Sequence, residues 1–278
     1  MLSKVNIFIY YVNWWFRLWF KIALLSLRLP YSFFQRIGIF RHGAMDRKDY
    51  VEQMWKLHFI DINELHIIDN TGSFLELGPG DSISSALKAK SAGFNHSILI
   101  DTDAFASDSD EILQDLSDSN RRIDLKDSKN HYKCEYLTEG KKSLETLNEG
   151  NLSFAFSNSV LQHVNLEEVK SVLNELYRIS DKGCIQSHII DLRDMICRSS
   201  FHYDCPSYLW EAKFFQKFPI YTNRLRCFEW IESFTKAGFE LVDVKIYDDF
   251  EQSLDPKCAS TLDLNNSIAN MHLIVRKN

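Results

Sequence analysis

The sequence predicts an α/β fold in which a mostly parallel sheet is flanked by helices. Short apolar runs with β character alternate with helical segments from about residue 49 onward, and this alternation is the pattern of a parallel sheet. The 278 residues are 45% hydrophobic and include twenty Phe, which is enough for a sizeable core. A glycine turn directly follows the first apolar run, at the sheet edge where ligands of such folds bind.

Seven runs are predicted as strands: 73–78, 96–103, 132–137, 152–159, 184–192, 239–248 and 271–277. After the first strand, Asp81 is expected to cap the N-terminus of a helix that stops at Gly93, because Asp favours N-caps and glycine ends helices. The amphipathic segment 165–183 is expected to be a helix that ends at Gly183, and another helix is expected at 226–237. The polar stretch 105–131 fits either a helix or a loop.

Charge divides the chain into a basic amphipathic arm, residues 1–48, and an acidic body, residues 49–278. The arm contains eight basic residues and one acid, a net charge of +7, so the rest of the chain carries −13 of the total of −6. An acidic body argues against a nucleic-acid binder, which usually presents a basic face. A basic arm can contact an anionic surface.

The arm is expected to form a helix over residues 5–29, because apolar residues surround a narrow polar stripe and Pro30 ends the run. The stripe is about 80° wide and consists of Asn6, Asn13, Arg17, Lys21 and Arg28. Two cations inside the run disfavour a signal peptide. In a membrane span they would each cost about 2.5–3.5 kcal/mol. A helix in the membrane interface fits better, and packing on the domain or in a dimer is the alternative.

The cysteines indicate a reducing compartment. The six cysteines form no C-x-x-C motif and no Cys/His cluster with zinc-finger spacing. We therefore expect free thiols, no metal site and a cytoplasmic protein, with peripheral contact at the inner membrane face through residues 5–29.

The glycine turn is not a dinucleotide fingerprint. That motif, G-x-G-x-x-G, requires a third glycine, but Ile83 stands at its sixth position. Glu76 in the preceding strand and Asp81 after the turn would repel a pyrophosphate. The turn suits a ligand that has a cationic group and a sugar, such as S-adenosylmethionine. Asp101, at the end of the second strand, is placed to accept the ribose hydroxyls.

Four segments in order resemble the class I S-adenosylmethionine-dependent methyltransferases, of the small-molecule or saccharide type. They are "LELGPG", "IDTD", "FSNSVLQHV" with the following "LEEVKSVLNELYRISDKGC", and "KAGFELVDV". The resemblance covers roughly residues 70–190 and, more weakly, 226–278. It implies a Rossmann-like fold with a seven-stranded, mostly parallel sheet. Three positions depart from the family pattern: Ser82 replaces a third glycine, Gln162 replaces Glu, and "SDKGC" lacks the usual proline.

The resemblance implies a cofactor site formed by Glu76, Gly78, Gly80, Asp101 and Ser157. The glycines would let the backbone approach the cofactor, and Ser157 would line its pocket. Glu76 would orient the methionine ammonium through water, and Asp101 would hold the ribose. Two alternatives stay open. The glycines can simply make a tight turn, and Asp101 can cap a helix while Asp103 takes its role.

Two histidines are candidate catalytic bases for a hydroxyl acceptor. His163 is expected to open the helix after the fourth strand, and His188 lies in the fifth strand. Each has a structural alternative, as a helix-start residue and as a hydrogen-bonded core residue. Asp191 and Asp194 are further candidates, unless they form salt bridges with Arg193.

Residues 191–225 form an insert that is too long for a plain loop. It follows the fifth strand and is rich in aromatic and basic residues. We expect it to be a lid that binds a sugar-like or anionic acceptor through Asp191, Arg193, Tyr221 and Arg224. "SHIIDLRD" and "YTNRLR" in this region are similar to bacterial methyltransferases near surface-polysaccharide pathways. The alternative is a lid helix that packs on the sheet.

The predicted function is S-adenosylmethionine-dependent methyl transfer to a small-molecule or lipid-linked saccharide acceptor, without a nucleic-acid partner. Two alternatives remain. One is a methyltransferase-like fold that binds or scaffolds without catalysis, and the other is a dinucleotide-dependent oxidoreductase, which Ile83 and Glu76 disfavour.

Overall fold

The computed structural model describes residues 4–27, 47–66, 68–106, 133–247 and 270–278. Its centre is a seven-stranded sheet in the order β3-β2-β1-β4-β5-β7-β6. β1 to β5 are parallel, and β7 lies antiparallel between β5 and β6. The strands are β1 Ser73–Leu77, β2 His96–Ile100, β3 Cys134–Leu137, β4 Leu152–Asn158, β5 Ser180–Asp191, β6 Glu240–Tyr247 and β7 Asn270–Arg276. All seven predicted strands and the mostly parallel sheet are confirmed.

The helices flank the sheet and connect its strands. They are α1 Lys4–Leu25, α2 Lys48–Trp55, α3 Ser84–Ser91, α4 Lys141–Thr146, α5 Val169–Ile179, α6 Ser207–Trp210 and α7 Cys227–Lys236. A π-helical turn, Lys56–Ile60, and a last turn, Asp61–Asn63, extend α2. Short 3-10 turns span Leu161–His163, Phe201–Asp204 and Phe215–Lys217. Arg28, Pro30 and most of the stretch 105–131 lie outside the described residues.

Two predicted helix boundaries are wrong. Asp81 does not cap α3, which begins three residues later at Ser84. The prediction that α5 runs to Gly183 also fails, since α5 ends at Ile179 and β5 already begins at Ser180. The cause lies far along the chain. The Lys277 ammonium donates to the carbonyls of Tyr177 and Ser180, each at 2.9 Å, and so satisfies groups at the helix end that local sequence leaves open.

The two faces of the sheet have different cores because side chains alternate along each strand. On one face lie aromatic residues such as Phe74, Phe154 and Phe156, packed against Trp55 and Phe59 of the α2 region. The other face is mainly aliphatic and packs against α5 and α7. The sheet is therefore buried on both sides, which is the condition for a parallel sheet.

The arm helix α1 packs against the insert and forms a third apolar cluster with it. Trp14, Leu18 and Ile22 of α1 are buried there. The rings of Trp14 and Trp210 lie 6.0 Å apart, and the Lys21 ammonium donates to the Met195 carbonyl at 2.6 Å. One face of α1 therefore packs on the domain, which is the alternative to a membrane-interface helix given in the sequence analysis.

None of the helices among the described residues is both long enough and apolar enough to span a bilayer.

We expect Trp14→Ala to lower the free energy of unfolding by about 3–5 kcal/mol, because a fully buried Trp leaves a cavity between α1 and the insert. Phe16→Ala is the matched control on the same helix. Its side chain is 70% exposed, so a change within about 0.5 kcal/mol is expected. Chemical denaturation of both variants measures the difference. Equal stabilities would mean that α1 does not hold the insert.

Candidate cofactor and acceptor site

The carboxyl ends of β2, β1 and β4 meet at one edge of the sheet and bring the predicted cofactor residues together. In the strand register Leu77 pairs with Ile100 on one side and with Ser157 on the other. The glycine turn after β1 and Asp101 after β2 are therefore neighbours. This edge is where ligands bind in open α/β sheets.

The glycine turn has a backbone that other residues rarely adopt. Gly78 and Gly80 have φ values of +70° and +68°. The Gly78 amide donates to the Ile100 carbonyl at 2.8 Å, which ties the turn to β2. A Cβ at residue 78 would lie 2.3 Å from a methyl group of Val160. Gly78 is therefore required by both its conformation and its surroundings.

Asp101 faces the glycine turn. One oxygen of its carboxylate accepts the Gly80 amide at 3.1 Å, and the other accepts the Thr102 amide at 2.7 Å. Each oxygen has a further lone pair with which to accept a hydroxyl. Burial raises the pKa of Asp101 to about 6. Residues 102–106 are not helical, so Asp101 caps no helix in that segment, and Asp103 is exposed.

Glu76 is a buried carboxyl group beneath the turn. It lies in β1, is only 2% exposed, and accepts a hydrogen bond from the Ser85 hydroxyl of α3. Burial raises its pKa to about 8, against the opposing effect of the Ser85 bond, and the nearby Asp101 raises it further. The side chain is therefore mostly protonated at neutral pH in the absence of a cation.

Tyr50 of α2 also reaches this edge, although no pattern in the sequence indicates that it does. Its hydroxyl accepts a hydrogen bond from the Asn158 side-chain amide at the end of β4, at 2.6 Å. Burial raises its pKa, and the charge of Glu76 adds to that effect. The α2 region therefore borders the site, although its sequence shows only an amphipathic helix.

His188 lies inside the protein rather than in an open site. Its Nδ1 bonds the Ser157 hydroxyl at 2.8 Å and its Nε2 bonds the Gln186 side-chain oxygen at 2.9 Å. The ring has no exposed surface, and burial lowers its pKa to about 3. This placement does not suit a base that takes a proton from an acceptor. It suits a residue that positions Ser157, which is itself fully buried.

His163 is the candidate base with a nitrogen available. It ends the 3-10 turn Leu161–His163, so the expectation that it opens a helix is wrong. Its Nδ1 donates to the Tyr221 carbonyl at 2.8 Å, which leaves Nε2 as an acceptor in the neutral ring. Burial lowers the pKa of His163, while the charge of Asp191 acts in the opposite direction. The ring is therefore neutral at pH 7.

Asp191 and Arg193 bind each other at the end of β5. The guanidinium makes two bonds to the carboxylate, at 2.8 and 2.7 Å, and Arg193 is only 4% exposed. Asp191 therefore forms the salt bridge with Arg193 that was the alternative to a catalytic role. Asp194 is fully enclosed and accepts the amides of Ile196 and Cys197, so it orders the chain around it.

Tyr221 and Arg224 both bind Glu211 within the insert. The Tyr221 hydroxyl donates to one carboxylate oxygen at 2.6 Å, and Arg224 Nε donates to the other at 3.0 Å. The remaining guanidinium nitrogens of Arg224 bond the Cys205 carbonyl and the Ser207 hydroxyl. Both predicted acceptor residues therefore stabilise the insert, and an acceptor would have to share these bonds.

Asn223 holds the turn that carries His163, a role that sequence reasoning missed. Its side-chain amide donates to the carbonyls of Leu161 and Val164, at 2.9 and 3.0 Å. Its backbone amide donates to the Gln162 carbonyl at 2.6 Å. The insert thus fixes His163 through Asn223 as well as through Tyr221.

The sequence matches no protein-family profile and no curated protein. Solved structures share its fold at low identity. The [4+2]-cyclase SpnF matches with a TM-score of 0.52 at 14% identity, over 83% of this chain and 82% of that one. An S-adenosylmethionine-dependent methyltransferase from Methanosarcina mazei matches with 0.50 at 15%, over 78% and 96%. Geranyl diphosphate methyltransferase in complex with S-adenosylmethionine matches with 0.50 at 12%, over 82% and 86%.

The chain therefore has the Rossmann-like fold of the class I methyltransferases. The order of seven strands, the antiparallel β7 and the helices on both faces all agree with that fold. At these identities the likeness defines the fold and not the activity.

We expect Gly78→Ala to lower the free energy of unfolding by about 2–4 kcal/mol, since the new methyl group adds both a left-handed backbone penalty and overpacking. Gly150→Ala is the matched control. It has a similar φ of +63° but no atom within 4 Å of the added Cβ, so a loss of about 1 kcal/mol is expected. Thermal and chemical denaturation report the difference. Equal losses of unfolding free energy in the two variants would show that packing against Val160 does not constrain this turn.

Proposed function

We propose that this protein is an S-adenosylmethionine-dependent methyltransferase. The observation that carries the proposal is the acidic lining of the glycine turn. Glu76 and Asp101 lie beside Gly78 and Gly80, at the ligand edge of the sheet. Asp101, which is mostly ionised at pH 7, disfavours a phosphate, and Glu76, which a nearby cation would ionise, favours a ligand with a cationic group and hydroxyl donors. S-adenosylmethionine has both and carries no phosphate.

The residues around the turn divide the binding among them. The free lone pairs of Asp101 would accept the ribose hydroxyls, and Glu76 would orient the amino-acid ammonium through water. The positive φ angles of Gly78 and Gly80 shape the turn against which the cofactor would lie. Ser157 has no exposed surface and bonds His188, so it would support the end of β4 from within rather than touch the ligand. The bound cofactor supplies a methyl group on a positively charged sulfur.

His163 is the proposed catalytic base. The Tyr221 carbonyl fixes its Nδ1 proton, so Nε2 would take the proton of an acceptor hydroxyl to which the cofactor would supply its methyl group. Such a base contributes about 10²–10⁴-fold to the rate. Alignment of the acceptor with the methyl donor can lower the activation barrier by up to about 7–11 kcal/mol. The insert, which holds His163 in place, is suited to aligning the acceptor.

The proposed acceptor is a small molecule or a lipid-linked saccharide, met at the cytoplasmic face of the inner membrane. The aromatic insert beside His163 supports this acceptor class, and the arm helix α1 supports the membrane location.

An alternative is a binding protein without methyl transfer. It is favoured by two departures from the family pattern, Ser82 in place of a third glycine and Gln162 in place of Glu. Cofactor binding without turnover of any acceptor would favour that alternative.

We expect calorimetric titration with S-adenosylmethionine to show binding that Asp101→Asn weakens about ten- to a hundredfold, because each bond to a charged acceptor contributes about 1.5–3 kcal/mol. Asp103→Asn is the control, since Asp103 is exposed two residues away and should keep its affinity. NAD should not bind. Unchanged affinity in Asp101→Asn, or tighter binding of NAD, would exclude the proposed site.

Binding of S-adenosylmethionine should release a proton at pH 7. Glu76 has a pKa of about 8 in the free protein, so it is mostly neutral, and a nearby ammonium lowers that pKa and ionises it. The release should fall towards zero above pH 9, where the free carboxyl is already ionised. Titrations in buffers of different ionisation enthalpy measure the proton count. Glu76→Gln should abolish it, and a count that is independent of this residue would refute the assignment.

A further inference from the structure

Helix α1 has a second apolar face that the described residues of the domain do not cover. Trp14, Leu18 and Ile22 are buried against the insert, whereas the opposite side of the helix is exposed. The large exposed side chains there are Ile9, Val12, Phe16, Trp19 and Phe20, with exposed fractions between 48% and 70%. Apolar residues in such a continuous exposed row mark an interaction surface.

The insert continues this surface. Phe214 is 53% exposed. Its ring lies 5.8 Å from that of Phe215, which in turn lies 6.0 Å from the ring of Trp19. At the end of α1 a cleft of about 360 Å³ opens between Leu25 and Ser26 on one side and Phe214, Lys217 and Phe218 on the other. Phe16, Trp19, Phe20 and Phe214 together are called the aromatic patch below.

The charged residues of helix α1 and of the segment 212–220 are all basic. Residues 4–25 and 212–220 contain no Asp or Glu, but they contain Lys4, Arg17, Lys21, Lys213 and Lys217. Lys213 and Lys217 are exposed, and no ion pair joins either of them to an acid within the described part of the chain. This local charge is opposite to that of the acidic body.

We propose that the aromatic patch docks on an anionic lipid bilayer, with its rings in the acyl boundary and the cations of α1 and the insert at the headgroups. This arrangement deepens the proposed peripheral location, on which it rests, and it makes the insert part of the membrane contact. Aromatic rings flanked by Lys and Arg are suited to that interface. A symmetric second copy would instead bring cations against cations. The cleft beside Lys217 has room for part of an acyl chain.

The docked surface and His163 belong to one connected unit. Trp14 on the buried face of α1 contacts Trp210, whose indole nitrogen donates to the Thr222 carbonyl at 2.8 Å. The preceding residue, Tyr221, holds His163. A lipid-linked acceptor would therefore meet the bilayer-bound insert on the same unit that positions the base.

The test is sedimentation of the full chain with phosphatidylcholine vesicles, with and without phosphatidylglycerol, in the absence of S-adenosylmethionine. We expect binding to the anionic vesicles, weak binding to the neutral ones, and loss of binding as salt screens the cations. Phe16→Ser with Phe214→Ser should abolish binding. Lys213→Gln and Lys217→Gln should each weaken it about fivefold, on the anionic vesicles only.

The controls lie on another helix. Phe228 of α7 is 57% exposed and Lys236 is also exposed, so Phe228→Ser and Lys236→Gln should bind vesicles as the parent chain does. Circular dichroism checks that each variant is folded. Full binding by the Phe16/Phe214 variant, or equal loss in the Phe228 variant, would overturn the proposal. So would a doubled mass by light scattering that depends on Phe16, because a second copy would then cover the patch.

The outcome is separable from that of the cofactor titration. Binding to anionic vesicles without binding of S-adenosylmethionine would support the docking surface and refute the proposed activity. A chain that binds the cofactor but does not bind anionic vesicles would refute the docking surface and leave the proposed activity standing.

Discussion

The left-handed turn at Gly78 is the constraint on which the site depends. The backbone must reverse between β1 and α3 within a few residues while Val160 packs directly against it. The hydrogen bond from Gly78 to Ile100 then fixes the end of β2, and Asp101 comes to face the Gly80 amide as a result. The position of the carboxylate thus follows from a backbone conformation that glycine adopts readily. The parallel register of β2, β1 and β4 then brings the ends of these strands together at the site.

Burial determines the protonation of the groups around that turn. Water is excluded from Glu76 and His188, so each favours its neutral form, the acid by a raised pKa and the base by a lowered one. A similar pattern occurs on the aromatic face of the sheet, where His58 and His272 both bond the Ser187 hydroxyl at 2.7 Å. These buried groups are polar but mostly uncharged at neutral pH. A cationic ligand would therefore meet one carboxyl group, Glu76, that becomes charged only on its arrival, beside Asp101, whose pKa of about 6 leaves it mostly ionised at pH 7.

Local sequence patterns predicted the fold well and the side-chain partners poorly. Strand periodicity and the glycine turn depend on residues close together in the chain, and all seven strands and the placement of Asp101 after β2 followed from them. The end of α5 depends on Lys277, about a hundred residues away. The surroundings of His188 depend on Ser157 in another strand. Similarly, Tyr50 reaches Asn158 only once α2 has packed. Such contacts leave no periodic signal, because they are created by the fold itself.

The position of β7 has a consequence for biosynthesis. β6 is made before β7 but joins the sheet only through it, because β7 lies between β5 and β6. During translation the edge of β5 therefore stays open after the parallel half of the sheet can already form, and β6 has no place to pair. An open strand edge is prone to wrong pairing. The nascent chain should thus depend on chaperones most strongly in the interval between the synthesis of Asp191 and that of Asn270.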